Sequence, residues 1–117
     1  MKKKKIIISQ NYLERIPVRP AQLTWTTDDD GIVTLQVENT GWVNRIAQKL
    51  FDRPRVSYIH LDKLGSFVWP LLDGERSIIA LGEAVEAEFG EEAHPLYERL
   101  ARYFQILDSY HFIEWKQ

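Results

Sequence analysis

At 117 residues, with 44% hydrophobic and 27% charged side chains, the chain has the makeup of one soluble globular domain, large enough to bury a core without covalent staples. It has no cysteine, which excludes disulfides, thiolate metal sites, iron–sulfur clusters and cysteine nucleophiles. Fifteen basic and seventeen acidic residues give a net charge of −2, without the basic excess of a dedicated nucleic-acid binder.

No apolar run approaches the ~20 residues of a membrane span. Lysines 2–5 precede only three isoleucines, too short an apolar run for a signal peptide, so a solvated terminus is expected; the lack of cysteine fits a reducing cytoplasm, the expected location. Residues 11–21 carry Pro17 and Pro20 and read as an extended arm. Leu23, Trp25 and Thr27 then alternate with Gln22, Thr24 and Thr26, the two-residue period of a strand. Asp28-Asp29-Asp30-Gly31 is a turn, with carboxylates suited to local backbone bonds and a glycine suited to positive φ. In a second strand Val33, Leu35 and Val37 alternate with Thr34, Gln36 and Glu38, and the two strands should pair as an antiparallel hairpin.

After Asn39-Thr40-Gly41 the period becomes helical. Val43, Ile46, Ala47, Leu50 and Phe51 share one face over residues 42–51, and Pro54 closes the segment. Residues 56–61 form a third strand. It runs into a helix capped by Asp62, with Leu64, Phe67, Val68, Leu71 and Leu72 as its apolar stripe. Pro70 should tighten the last turn and Gly74 should be the C-cap. Ser77 caps a second helix faced by Ile78, Leu81, Val85 and Phe89 and stopped by Gly90. A third helix runs from about Pro95 to about Tyr110 and buries Leu96, Leu100, Tyr103, Phe104 and Leu107. Residues 112–115 read as a closing strand. The order predicts an α+β fold: a winged-helix-like trihelical unit packed on a small three-stranded antiparallel sheet, with a short helix inserted between strands two and three. Residues 1–21 are expected to be an arm and 22–117 a single domain.

The residues that could carry chemistry mostly have plainer roles. With Gly31 at the sixth position of a calcium loop, the first would be Thr26 and the twelfth Val37, so the loop lacks its ligands. His60, His94 and His111 match no metal-ligand spacing. No serine sits in a nucleophile elbow, and no glycine-rich phosphate loop occurs. Glu91 and Glu92 suit a helix start. No catalytic residue, metal or cofactor is expected. Trp42 and Trp69 adjoin helix breaks and are the aromatics to consider for surface positions, but packing against the sheet or a neighbouring helix is the favoured reading. A helix–turn–helix reading would make Arg99 and Arg102 phosphate contacts, but Glu91, Glu92 and Glu98 surround that helix start and disfavour nucleic acid.

Ile59-His60-Leu61-Asp62-Lys63-Leu64-Gly65-Ser66-Phe67-Val68-Trp69, followed by Leu72-Asp73-Gly74-Glu75-Arg76-Ser77-Ile78, resembles the PqqD (pyrroloquinoline quinone biosynthesis protein D) family. Glu88-Phe89-Gly90, then Tyr103-Phe104-Gln105-Ile106-Leu107 leading to Phe112-Ile113, continue the likeness, which covers about residues 56–115. The motifs are packing and capping signals, and their joint order carries the resemblance. It implies a non-catalytic peptide chaperone, a recognition element for ribosomally made and modified peptides. Such a protein presents a precursor leader to a radical S-adenosylmethionine (SAM) or other modifying enzyme. The leader adds as an extra strand beside the third strand, in a groove between it and the third helix. Carried onto this chain, the peptide-binding residues are Arg55, Ser57, Tyr58 and Ile59 from the strand side and Arg99, Arg102, Tyr103 and Ile106 from the helix.

Residues 41–54 depart from the compact family pattern, where a tight turn joins strands two and three. The inserted helix would brace the sheet, cover the edge or bind the modifying enzyme. The arm would pair with an edge or exchange between protomers. A winged-helix DNA-binding protein and a structural or oligomerisation domain, dimeric through the strand edge, are the alternative functions.

Overall fold

The computed structural model describes residues 10–38 and 56–116. In chain order the elements are α1 (Gln10–Leu13), β1 (Pro17–Val18), β2 (Thr24–Thr27), β3 (Val33–Glu38), β4 (Val56–His60), α2 (Lys63–Val68), α3 (Ile78–Phe89), α4 (Leu96–Ser109) and β5 (Glu114–Trp115). Short 3-10 turns occupy Trp69–Leu71 and Gly90–Ala93. The chain is thus mixed α+β. It forms two compact units, one of Ala21–Ser66 and one of Met1–Pro20 with Phe67–Gln117. The inserted helix expected over 42–51, with Trp42, lies outside the described residues.

The first unit is an antiparallel sheet in the order β2-β3-β4. Its hairpin forms as the sequence dictates. The Asp28 carboxylate accepts from the N–H groups of Asp30 and Ile32, both at 2.9 Å, and Gly31 takes a φ of 82°. Trp25, Leu35 and Ile59 register in one row across the three strands, and Thr26, Thr34 and His60 in the next. Successive side chains on a strand point to opposite faces. One face therefore carries the apolar residues, with Val33 and Leu35 fully buried, and the other carries exposed Thr24, Thr26, Tyr58 and His60.

β4 runs into α2 through two polar devices. The Asp62 carboxylate accepts from the Gly65 N–H at 2.7 Å, the expected N-cap. The buried Ser66 hydroxyl accepts from the Val33 N–H at 2.8 Å and donates to the Leu61 carbonyl at 3.3 Å. The Leu61 N–H in turn donates to the Val33 carbonyl at 2.9 Å. Ser66 thereby completes the last pair of the β3–β4 ladder where the chain bends into a helix, and both backbone groups are satisfied.

In the second unit Pro70 does tighten the end of the first long helical segment into a 3-10 turn. Trp69 is fully buried, in keeping with core packing, the reading the sequence favoured for it. One expectation there is corrected. The C-cap is Leu72, and Gly74 sits in the following turn with a φ of 85° and the Val18 methyls over it. That turn is held by Asp73, whose carboxylate accepts from the Glu75 N–H at 3.0 Å and from Arg76 at 2.6 Å. The Glu75 N–H, with help from the Arg76 charge, holds the Asp73 carboxyl below the usual carboxylate range.

Ser77 caps α3 through the Ala80 N–H at 3.2 Å, and Gly90 ends it with a φ of 59°. A Cβ on Gly82 would stand 2.5 Å from the Tyr97 ring, so glycine there permits the close approach of α3 and α4. Burial, with the Glu83 and Glu86 charges, raises the Tyr97 phenol. α4 buries Leu100, Phe104 and Leu107 as expected, and also Ala101. It closes in a Schellman motif: Phe112 N–H to Leu107 carbonyl at 2.8 Å, and His111 N–H to Asp108 carbonyl at 3.0 Å. His111 occupies the left-handed position at φ 62° where glycine is usual.

The arm also differs from its sequence reading. Residues 11–21 are not uniformly extended: α1 precedes β1, which pairs antiparallel with β5. The closing strand spans only Glu114–Trp115. Pro17 is buried, and Arg19 donates to the carbonyls of Trp69 at 3.1 Å and Pro70 at 2.6 Å, satisfying the end of the helical segment. The Arg15 guanidinium lies 4.0 Å over the Trp115 ring, which also meets Tyr12 and Phe104 edge-on or tilted.

Candidate functional site

The direction of each backbone group on β4 follows from one hydrogen bond. Opposed residues in an antiparallel ladder alternate between bonded and non-bonded pairs. Leu61 donates to Val33, so Ile59–Leu35 and Ser57–Val37 are the other bonded pairs in this register. The N–H and C=O groups of Ser57, Ile59 and Leu61 therefore turn toward β3. Those of Val56, Tyr58 and His60 turn away from it. The β2 side agrees, because Asp28 donates to Ile32 and Thr34 and Gln36 consequently face β2. β4 is the last strand of its sheet among the described residues, so its outward N–H and C=O groups form a sheet edge without a ladder partner among those residues.

The side chains on this edge are divided by the pleat. Tyr58 stands opposite Gln36 and is 62% exposed. His60 stands opposite Thr34, and its Nδ1 lies 2.7 Å from the Thr34 hydroxyl. Ser57 and Ile59 are half-buried on the other face, in line with Val37 and Leu35. Of the strand-side residues named from sequence, Ser57, Tyr58 and Ile59 thus lie on one edge strand, and Arg55 lies outside the described residues.

The helix-side residues share one stripe of α4. Positions 99, 102, 103 and 106 follow the three- and four-residue spacing that brings side chains to one helical face. Arg99 is half-buried and donates to the Glu92 carbonyl at 2.7 Å. Arg102 is exposed and, with Pro95, Glu98 and Arg99, lines a shallow pocket of about 240 Å³. Tyr103 is half-buried and meets Phe104 edge-on at 5.0 Å. Ile106 is 51% exposed. The sequence reading missed Tyr110, which is 65% exposed, continues the stripe one turn beyond Ile106 and stacks on Phe112. Its position four residues after Ile106 was the available signal. Among the described residues, no three His, Asp or Glu side chains gather as a metal site. No helix among them is long and apolar enough to cross a membrane.

Residues 33–113 match the family model of coenzyme PQQ synthesis protein D (PqqD). The chain belongs to the PqqD family. The match begins at the first residue of β3, earlier than the motif likeness at residue 56, and takes in 39–55. β3 adds only an alternating pattern common to many sheets, which is why it carried no motif signal by itself. The PqqD match ends at Ile113, so α1, β1, β2 and β5 lie outside it. No curated protein and no solved structure matches the chain.

Proposed function

We propose that this PqqD-family protein is a non-catalytic peptide-binding module that takes an extended stretch of a ribosomal precursor peptide as an added strand on β4. It presents that peptide to a modifying enzyme of the radical SAM or a similar class. The observation that supports this reading is the β4 edge, where the outward backbone groups of Val56, Tyr58 and His60 have no ladder partner among the described residues. Main-chain bonds supply affinity in strand addition, and flanking side chains supply selectivity. Tyr58 and Ile59, on opposite faces of that strand, are the contacts proposed there, with Ser57 and Arg55 beside them. Arg99, Arg102, Tyr103 and Ile106 of α4 are proposed as further peptide contacts.

The test is affinity capture with the full chain in native extract, read by intact-peptide mass spectrometry, followed by synthesis of any recovered peptide. The expected result is one short encoded peptide that binds the wild-type protein and loses affinity for the Tyr58→Pro variant. Recovery of nucleic acid alone, or only of further copies of the chain, contradicts the proposal.

A further inference from the structure

Among the described residues the exposed large apolar side chains are Tyr58, Ile106 and Tyr110. A single exposed apolar residue needs no explanation. Ile106 on α4 and Tyr110, the C-cap residue that ends it, however, lie four residues apart, and the same stripe carries Arg102 and Arg99 in the two turns before them. The arginines are held differently. Arg99 has one nitrogen on the Glu92 carbonyl, which fixes its guanidinium beside the shallow pocket. Arg102 makes no hydrogen bond or ion pair among the described residues, although Glu98 lines the same pocket one turn earlier. Tyr110 is also fixed, its ring stacked at 5.5 Å and 20° on the buried Phe112. The stripe thus offers, in order along the helix, cationic donors, an aliphatic side chain and an oriented aromatic ring.

The spacing of these features matches an extended chain. Four helical residues advance about 6 Å, and two strand residues advance about 6.6 Å. Arg102, Ile106 and Tyr110 therefore fall in step with every second side chain of an extended peptide lying along α4. We propose that α4 reads an acidic–apolar signature in the peptide: a carboxylate at Arg102 and Arg99, an apolar side chain two residues away at Ile106, and a second apolar or aromatic one two residues further at Tyr110. This rests on the reading of the protein as a peptide binder. Charge complementarity selects the carboxylate, because a guanidinium pairs with it through two parallel bonds. The helix sets the spacing but not the chain direction, so both directions belong in the test.

The probes are fluorescein-labelled eight-residue peptides on a Thr/Ser background, measured by polarisation with the full-length protein. One carries Asp-x-Leu-x-Phe, one the reverse order, one the same residues made contiguous, and one Asp and Leu spaced four apart as on a helix. The expected result is at least tenfold tighter binding of one alternating peptide than of the contiguous and helically spaced ones. Arg102→Glu should remove that preference, and replacing the peptide Asp by Lys should restore it with that variant. Equal affinity across the spacings, no binding by any peptide, or an unchanged preference in Arg102→Glu overturns the inference. Tyr58→Pro separates the two claims: if it leaves the affinity unchanged while Arg102→Glu removes it, strand addition at β4 fails and recognition by α4 stands. If only Tyr58→Pro weakens binding, the reverse holds.

Discussion

Proline scanning of β4 should give opposite outcomes at neighbouring positions, because the ladder turns alternate N–H groups in opposite directions. At Tyr58 the N–H points away from β3, so proline removes no native bond, and an edge strand tolerates it on its open side. The expected loss of stability is under about 1 kcal/mol, within the range of ordinary surface substitutions and modest strain. An incoming strand, however, loses a donor and is left with a carbonyl facing the ring. An unsatisfied partner costs about 1–3 kcal/mol, so peptide affinity should fall roughly 10- to 100-fold. At Ile59 the N–H points to Leu35, which is fully buried. Proline there orphans the Leu35 carbonyl, a penalty of about 1–3 kcal/mol before any loss of packing. Urea unfolding of both variants, with peptide titration of Tyr58→Pro, checks the pair. Equal destabilisation at the two positions would refute the assigned directions of the backbone groups.

Three further outcomes are expected. Ser66→Ala should cost about 2 kcal/mol, since it strips a partner from both the Val33 N–H and the Leu61 carbonyl in a buried setting, measurable as a lower urea midpoint. His111→Gly should stabilise by about 0.5–1 kcal/mol, because glycine adopts the left-handed position without the Cβ penalty; an unchanged or lower melting temperature would contradict the Schellman geometry. Asp73 has a folded pKa below its ordinary value of 3.8, so its contribution is present above that value and is lost as pH falls through the lower folded pKa. Asp73→Asn should therefore flatten the acid limb of a stability–pH profile and leave its alkaline limb unchanged.

The parts of the fold most legible in the sequence were those governed by local rules. Asp62, Ser77 and Gly90 perform the capping expected of them, and Asp28 with Gly31 builds the expected turn. The alternation in β2 and β3 was enough to place Val33 and Leu35 on the buried face. Features that depend on distant partners were not legible. Nothing near Pro17 signals that it pairs with Trp115, a partner from the other end of the chain. Gly74 was read as a helix cap because glycine marks both caps and turns; the Asp73 carboxylate and the Val18 methyls above it decide for the turn. For the candidate site, the sequence located the β4 strand through its motif, but only the Leu61–Val33 bond reveals which backbone groups face outward.

The most direct measurement is residue-resolved amide exchange of β4, with and without the peptide recovered by affinity capture. In the free protein the amides of Ser57, Ile59 and Leu61 should already be protected by β3, and those of Val56, Tyr58 and His60 should exchange faster. On binding, protection should rise at Val56, Tyr58 and His60, giving a two-residue alternation in the change. A uniform change along the strand, or new protection confined to other segments, would contradict strand addition at this edge.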